Sequence, residues 1–534
     1  MKSRVFSLLS LLAASALPLQ SAFAQEKVLR IAMTASDIPT TSGMPNQGFE
    51  GMRFMGFPIF EGLIAFDLAT TAPVKLVPGL AEKWEQDPAD KKIWIFHLRK
   101  SVKFHDGTDF DADAVIWNLE RIFNKDSAQF EPNATGIMRA RMPLLASYRK
   151  IDDSTVSITT TIVASFFQWM MPYMLFTSPA SFEKGGKDWG KVAAMGPAGT
   201  GPFKITKVVQ RQSVTLAKNA TYWDPRRMPK VDQVILLPIP EATTRLAALR
   251  SGQVDWIEVP PPDGIPSLKQ AGFVISTGSY PHVWPWIFNM AAKDSPVKDV
   301  RVRQALNYCI DRSAIVSLLN GTAEPSVGWL KPGDPAFGKP ENKYTFDPAK
   351  GKKLLAEAGY DDKKPLSLKV MVSTSGSGQM LPLPMNEVLQ ENLKQACNVD
   401  VKVDAVEWQV LLNAGRAEAD SPQLNGAAAL NVSSPSSDAG AMYRYFAGVN
   451  AAPKGFNFPQ WKDDKFEEAI SKLADAGDEA TYLKYYAAAH ERLVDNPPWL
   501  FIVHDLNPRA FSKKVKGFVS PQSWFVDLTT VDLQ

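Results

Sequence analysis

Cysteine is nearly missing from this chain of 534 residues: there are two, Cys309 and Cys397. A chain this long can build a large core, so neither a disulfide nor a metal staple is required. The two thiols are free to pair in an oxidising compartment or to stay buried and separate. Histidine is scarce as well. None of the five (His97, His105, His282, His490 and His504) is spaced from another histidine or a cysteine as zinc ligands are. No sign of charge dominates, with 59 basic against 56 acidic residues, which gives no argument for nucleic acid or an anionic membrane surface as partner. Gly-x-Ser-x-Gly and His-Glu-x-x-His are both absent. Gly199-Thr200-Gly201-Pro202-Phe203 is glycine-rich, but no Lys-Ser/Thr follows at phosphate-loop spacing, so it reads as a tight turn before a strand. Carboxylates are plentiful, yet no pattern marks a catalytic pair. No catalytic residue, metal or cofactor is expected, and no repeat or low-complexity tract stands out.

The one long apolar run lies at the start. Lys2 and Arg4 precede a mostly apolar stretch from Val5 to Leu19, and Ala22-Phe23-Ala24 is a small-x-small cleavage site. Residues 1–24 read as a signal peptide. A membrane anchor would want about 18 uninterrupted apolar residues, and Pro18 ends this run early. Loss of Lys2 and Arg4 leaves 57 basic residues against 56 acidic ones. No cysteine near the cleavage site offers a lipid anchor. An exported, unanchored protein without membrane insertion points to a periplasm.

Hydrophobic content of 45% and charged content of 22% suit a globular protein, and the length suits several units. The mature part begins with a strand over Val28–Met33. Further strands are predicted at Lys92–Arg99, Thr155–Thr161, Phe203–Val208, Val214–Ala217 and Val231–Leu237. Asp111 is placed to cap a helix whose apolar face carries Val115, Ile116, Leu119, Ile122 and Phe123. Past the middle, helices lengthen. Asp299, Asp311 and Asp347 each precede one, and Asp347-Pro348 with Gly359 beyond the end is a start-and-stop signature. Phe466–Ala474 and Glu479–Val494 read as amphipathic, with His490 on the apolar face of the second as a satisfied core histidine.

Between these halves lies Ser279–Asn289, in which Tyr280, His282, Trp284, Trp286 and Phe288 alternate. In an extended chain all five share one face, while Pro281 and Pro285 each remove a backbone donor. Proline argues against an inner strand. The stretch therefore reads either as an aromatic ribbon crossing between two bodies or as an edge strand with its rings in the core. Pro497-Pro498 followed by Trp499–Val503 is a second crossing. The organisation is mixed α/β with at least two bodies, one of them discontinuous.

Several motifs taken in order resemble those of the family 5 extracellular solute-binding proteins, the dipeptide, oligopeptide, nickel and opine binders of ABC importers. Phe60-Glu61-Gly62-Leu63 and Pro78-Gly79-Leu80-Ala81-Glu82-Lys83-Trp84 come first. Phe96-His97-Leu98-Arg99-Lys100 and Val102-Lys103-Phe104-His105-Asp106-Gly107 follow. Gly199–Phe203 and Asn219-Ala220-Thr221-Tyr222-Trp223 lie next, then Arg301–Leu306, Ile310-Asp311-Arg312 and Leu354–Tyr360. The resemblance spans nearly the whole mature chain. It implies a two-lobe periplasmic-binding-protein fold with an extra subdomain and two crossing hinge segments. Lobe one would cover residues 25–283, with the subdomain near 55–195, lobe two 284–504, and 505–534 would return to lobe one. Most signature residues, His97, His105 and Asp106 among them, would be turns and caps.

Peptide binders of that family hold the ligand's amino terminus with an aspartate three residues after a tryptophan. Here Asn431 stands for the tryptophan and Ser434 for the aspartate, with Asp438 close enough to substitute. A buried ammonium without a carboxylate is costly, and the serine run Ser433–Ser437 offers hydroxyls to a sugar or a modified amino acid instead. Arg416 and Arg444 stand out no more than their neighbours as partners for a ligand carboxylate. The resemblance implies a monomeric periplasmic component that captures a small molecule or short peptide. It would deliver that ligand to an ABC permease of two transmembrane subunits and two ATPases. Trp284 and Trp286 are expected as the cleft wall, Ser434, Asp438 and Tyr443 as lobe-two contacts, and Asp37 and Gln379 as further contacts. The alternatives are a non-peptide solute such as an opine or sugar conjugate, and a secreted hydrolase or chaperone on the same scaffold.

Overall fold

The computed structural model describes residues 26–46, 48–280, 282–374, 381–432, 436 and 438–534. The expected signal peptide lies outside the described residues, as do Ser434 and Gln379. Two large sheets organise the rest. The first holds, in spatial order, Val274–Ser276, Arg509–Phe511, Trp256–Glu258, Val28–Met33, Gln233–Pro238, Ser213–Lys218 and Phe203–Val209. The second holds Ala323–Pro325, Trp499–Asp505, Val283–Phe288, Ala429–Asn431, Ser367–Ser373 and Asp400–Val406. A third sheet of four strands, Ala81–Gln86, Ile93–Leu98, Thr155–Thr160 and Leu145–Asp152, is inserted within the first lobe's sequence.

Local chemistry accounts for most of these elements. Trp94, Phe96 and Leu98 are buried while Ile93, Ile95 and His97 between them are partly exposed, the alternation of a half-covered strand. Asp111, Asp299, Asp311 and Asp347 each accept a backbone N–H in the first turn of the helix they precede. Gly359, just past the helix Pro348–Glu357, has φ +88°, a conformation that costs glycine nothing.

Distant motifs meet on one buried carboxylate. Glu61 accepts from Thr200 Oγ1 (2.9 Å), Tyr222 Oη (2.7 Å) and Trp223 Nε1 (2.7 Å). A side chain at Gly199 would strike the Ile59 carbonyl at 2.1 Å. The glycine is there because two backbones touch. His105 accepts from Gly199 N at 3.2 Å and its Nε2 meets Gly201 O at 2.9 Å. These signature residues tie turns together.

The chain passes from the first sheet to the second between Ser276 and Val283, and returns between Asp505 and Arg509. The two crossings are joined side by side. Tyr280 donates to Asp505 Oδ2 at 3.0 Å, and His504 Nδ1 donates to the His282 carbonyl at 3.1 Å. Val283–Phe288 and Trp499–Asp505 pair antiparallel.

The strand Val283–Phe288 departs from expectation. It is an inner strand of the second sheet, buried on both faces, although it contains Pro285. The ladder accommodates the missing donor. The register shifts between Trp284 and Pro285, leaving Ile502 as the extra residue opposite. The Pro285 carbonyl takes its hydrogen bond from Asn431 Nδ2 at 2.9 Å. The two cysteines are joined by a disulfide that closes a span of 88 residues. Gly351 packs against it, and a Cβ there would stand 2.3 Å from Cys309 Sγ. Among the described residues no helix is long and apolar enough to cross a membrane.

Candidate functional site

A cavity of about 470 Å³ lies between the lobes, a size that suits small ligands, whose pockets run roughly 300–1,000 Å³. Phe66, Trp169, Tyr173 and Phe525 face it from the first lobe. Trp329, Asp438, Tyr482 and Tyr486 face it from the second, with Tyr280 and His504 at the crossings.

Each wall is built by its local sequence. Tyr482 and Tyr486 stand four residues apart on the helix Glu479–Asp495, so both rings point the same way. The segment Leu330–Ala336, also on the wall, is fastened by His490. Its Nε2 accepts from Leu330 N at 3.0 Å, and its Nδ1 donates to Phe337 O at 2.7 Å. Burial pushes this imidazole down to about 4, so it is neutral and doubly satisfied, the core histidine expected. Lys331 Nζ bridges Glu324 and Ser279, both at 2.6 Å, and so ties this segment to the first crossing.

Asp438 is a partly buried carboxylate of the wall. Its Oδ1 accepts from Ala441 N at 2.8 Å and caps the helix Ala439–Phe446. Desolvation holds its pKa above the usual carboxylate range, against the pull of the cap and of Arg444. The hydroxyls of Tyr173, Tyr482 and Tyr486 are pushed up by burial first and by the nearby Asp438 charge as well. His504 is pushed down to about 3 by burial and is neutral. The result is an aromatic chamber with neutral hydroxyls and an acid, which can offer ring faces and a few polar contacts to a small solute. Among the described residues no three His, Cys, Asp or Glu side chains converge to hold a metal ion.

Of the residues expected at the site, the structure brings Asp438 to the wall and leaves several elsewhere. Trp286 is fully buried in the second lobe, where Nε1 donates to Asn386 Oδ1 at 2.7 Å. Asn386 Nδ2 in turn donates to Asn431 Oδ1 at 3.0 Å. Trp284 is also fully buried, and neither indole is among the lining residues. The reason is the inner position of their strand, which covers both its faces with protein. Tyr443 packs on Phe166 across the lobes, with centroids 5.4 Å apart, away from the cavity lining. Asp37 Oδ1 accepts from Ile38 N at 2.7 Å and does not line the cavity. Sequence reading missed Trp329, Tyr173 and the pair Tyr482/Tyr486. The four-residue spacing of the tyrosines was the available signal, but it also fits ordinary packing.

Comparison with known proteins agrees with this geometry. The model of bacterial extracellular solute-binding proteins, family 5 Middle, matches residues 75–453. The "Glutathione-binding protein GsiB" of Escherichia coli (strain K12) is 28% identical over 481 residues, covering 89% of each chain. The periplasmic binding protein DppA from Helicobacter pylori, solved with peptide STSA, superposes with a TM-score of 0.79 at 22% identity, over 95% of this chain and 98% of that one. AgaA from A. tumefaciens R10, solved with agropinic acid, superposes with a TM-score of 0.77 at 24% identity, over 95% and 99%. The fold is therefore the two-lobe fold of periplasmic binding proteins.

Proposed function

From the premise that this chain belongs to the bacterial extracellular solute-binding proteins of family 5, we propose that it captures a peptide-like solute between its lobes and hands it to an ABC permease. The observation that carries this reading is a cavity walled jointly by both lobes and both crossings. A solute filling it touches groups that separate when the lobes part. It therefore binds the closed state better than the open one and shifts the population toward closure. Aromatic faces supply contact area, and the tyrosine hydroxyls and Asp438 set orientation. A relative named for glutathione and a structural neighbour solved with a peptide support a peptide-like ligand. The closed form, a monomer in the periplasm, presents both lobes to a permease of two transmembrane subunits and two ATPases. The work is binding, with no chemical step.

The test is a melting-temperature screen of the mature protein against di- and tripeptides, glutathione, opines and sugars, followed by calorimetry and a turnover assay. A peptide-like solute at 100 times its Kd should stabilise the protein by about 2.7 kcal/mol and emerge unchanged. Stabilisation by an opine or a sugar alone would overturn the peptide reading, and product formation would overturn the binding role.

A further inference from the structure

Trp169 and Asp438 face the cavity from opposite lobes, and the two elements that carry them also touch each other directly. Trp169 ends the short 3-10 helix Ser165–Trp169 of the first lobe, and Asp438 caps the helix Ala439–Phe446 of the second. Phe166 is fully buried, and its ring packs on Tyr443 with centroids 5.4 Å apart. A Cβ on Gly440 would stand 3.4 Å from the Phe166 carbonyl oxygen and 3.5 Å from Met170 Cγ, so the first turn of the helix also rests on this segment. Ser165 Oγ donates at 2.8 Å to the carbonyl of Leu473, near the C-terminus of the helix Asp464–Ala474.

The segment is also fastened to its own lobe. Phe167, fully buried as well, packs against Trp94 of the strand Ile93–Leu98 at 6.0 Å between centroids. Gln168 Oε1 accepts from Trp84 Nε1 at 3.0 Å, and Gln168 Nε2 donates to Ser165 O at 3.1 Å. The Phe166 ring and the Ser165 hydroxyl therefore stand on a braced support when they meet the second lobe. Neither Ser165, Phe166 nor Tyr443 lines the cavity, so these contacts form without a solute.

We infer that Ser165, Phe166 and Tyr443 form a latch that holds the lobes together without a solute and sets the spacing of Trp169 and Asp438 across the cavity. All three are positioning residues, and Tyr443, expected as a solute contact, acts through closure instead. Parting the lobes returns apolar ring surface to water, which opposes opening. The empty protein therefore keeps a closed population. The apparent affinity of a solute scales with the fraction of protein already in the competent state. A latch thus strengthens every solute by the same factor and leaves the ratio between any two unchanged, whereas a group that touches the solute alters that ratio. The inference rests on the solute-capture reading for what the latch serves, and its own effect is measurable on the empty protein.

The experiment uses the mature protein and its variants Ser165→Ala, Phe166→Ala, Tyr443→Ala and Tyr443→Phe, the last of which keeps the ring. Small-angle X-ray scattering of the empty proteins reads closure, and circular dichroism checks the fold. The radius of gyration should rise in Phe166→Ala and Tyr443→Ala, rise less in Ser165→Ala, and stay at the wild-type value in Tyr443→Phe. Should Phe166→Ala fail to fold, Ser165→Ala and Tyr443→Ala decide the matter from the two sides of the contact. Calorimetry with reduced glutathione and with alanylalanine should show both affinities falling together in Tyr443→Ala, by about threefold or more, while Tyr482→Ala, on the wall, changes their ratio. An unchanged radius in the folded alanine variants overturns the latch and, where glutathione still binds, leaves solute capture standing. A changed ratio in Tyr443→Ala makes that ring a solute contact and also overturns the latch. A rise in radius with neither probe bound keeps the latch and removes the peptide reading.

Discussion

Replacing Asp505 by asparagine should change how stability depends on pH, in a direction set by burial. Asp505 ends the strand Trp499–Asp505, where the chain turns back to the first lobe. It is 1% exposed and accepts from Tyr280 Oη at 3.0 Å and Asn507 N at 2.7 Å. Burial pushes its pKa from 3.8 to about 6, against the opposing pull of those two hydrogen bonds and of Arg53 and Arg509. A carboxyl whose folded pKa is raised holds its proton longer when folded than when unfolded. Its contribution is full below 3.8 and is lost as pH climbs through about 6. At about 1.4 kcal/mol per pH unit, the gap corresponds to roughly 3 kcal/mol. Asparagine is similar in size and has no proton to lose, so the variant escapes this loss. Melting curves of wild type and Asp505→Asn, followed by tryptophan fluorescence from pH 4 to pH 8, should diverge by about 3 kcal/mol between pH 4 and 7 in the variant's favour, then run parallel. Taking the difference removes His282 and His504, both pushed down to about 3 by burial, whose effect has the opposite sign. A difference that does not change with pH would refute the reasoning.

Further consequences concern the core, the bridge and the wall. Serine at both Cys309 and Cys397 opens a loop of 88 residues, and chain entropy puts the loss at about 4 to 5 kcal/mol; melting with and without reductant should show it, and thiol titration of the denatured wild type should find none. Trp286→Ala should cost about 3–5 kcal/mol in denaturant titration of the empty protein, whereas Tyr482→Ala, on the wall, should weaken solute binding at least tenfold with a smaller effect on the empty protein. Glu61→Gln should cost about 1–3 kcal/mol, because an amide nitrogen then faces one of three donors, and equilibrium unfolding measures that loss.

Short-range physics was legible in the chain. Aspartate before a helix, glycine after one, and alternation along Ile93–Leu98 are satisfied within a few residues of themselves, so spacing reveals them. The family motifs were legible in their order, and the turns they build around Glu61 follow from backbone contacts that admit only small residues. At the site, Asp438 could be named from its place after the serine run, whereas the rest of the chamber could not. Alternation put Trp284 and Trp286 on a common face but could not say what covered that face. A proline seemed to exclude the strand from a sheet interior, until a bulge and the Asn431 amide supplied what proline lacks.

By itself the sequence determined the α/β elements, the two crossings and the family. Tertiary structure alone decided that Cys309 meets Cys397, that the tryptophans serve the core, and that Phe166 meets Tyr443 across the lobes. The reason is range. Elements obey neighbours in the chain, but a cavity wall is assembled from residues hundreds of positions apart, and what each one touches depends on how the lobes pack.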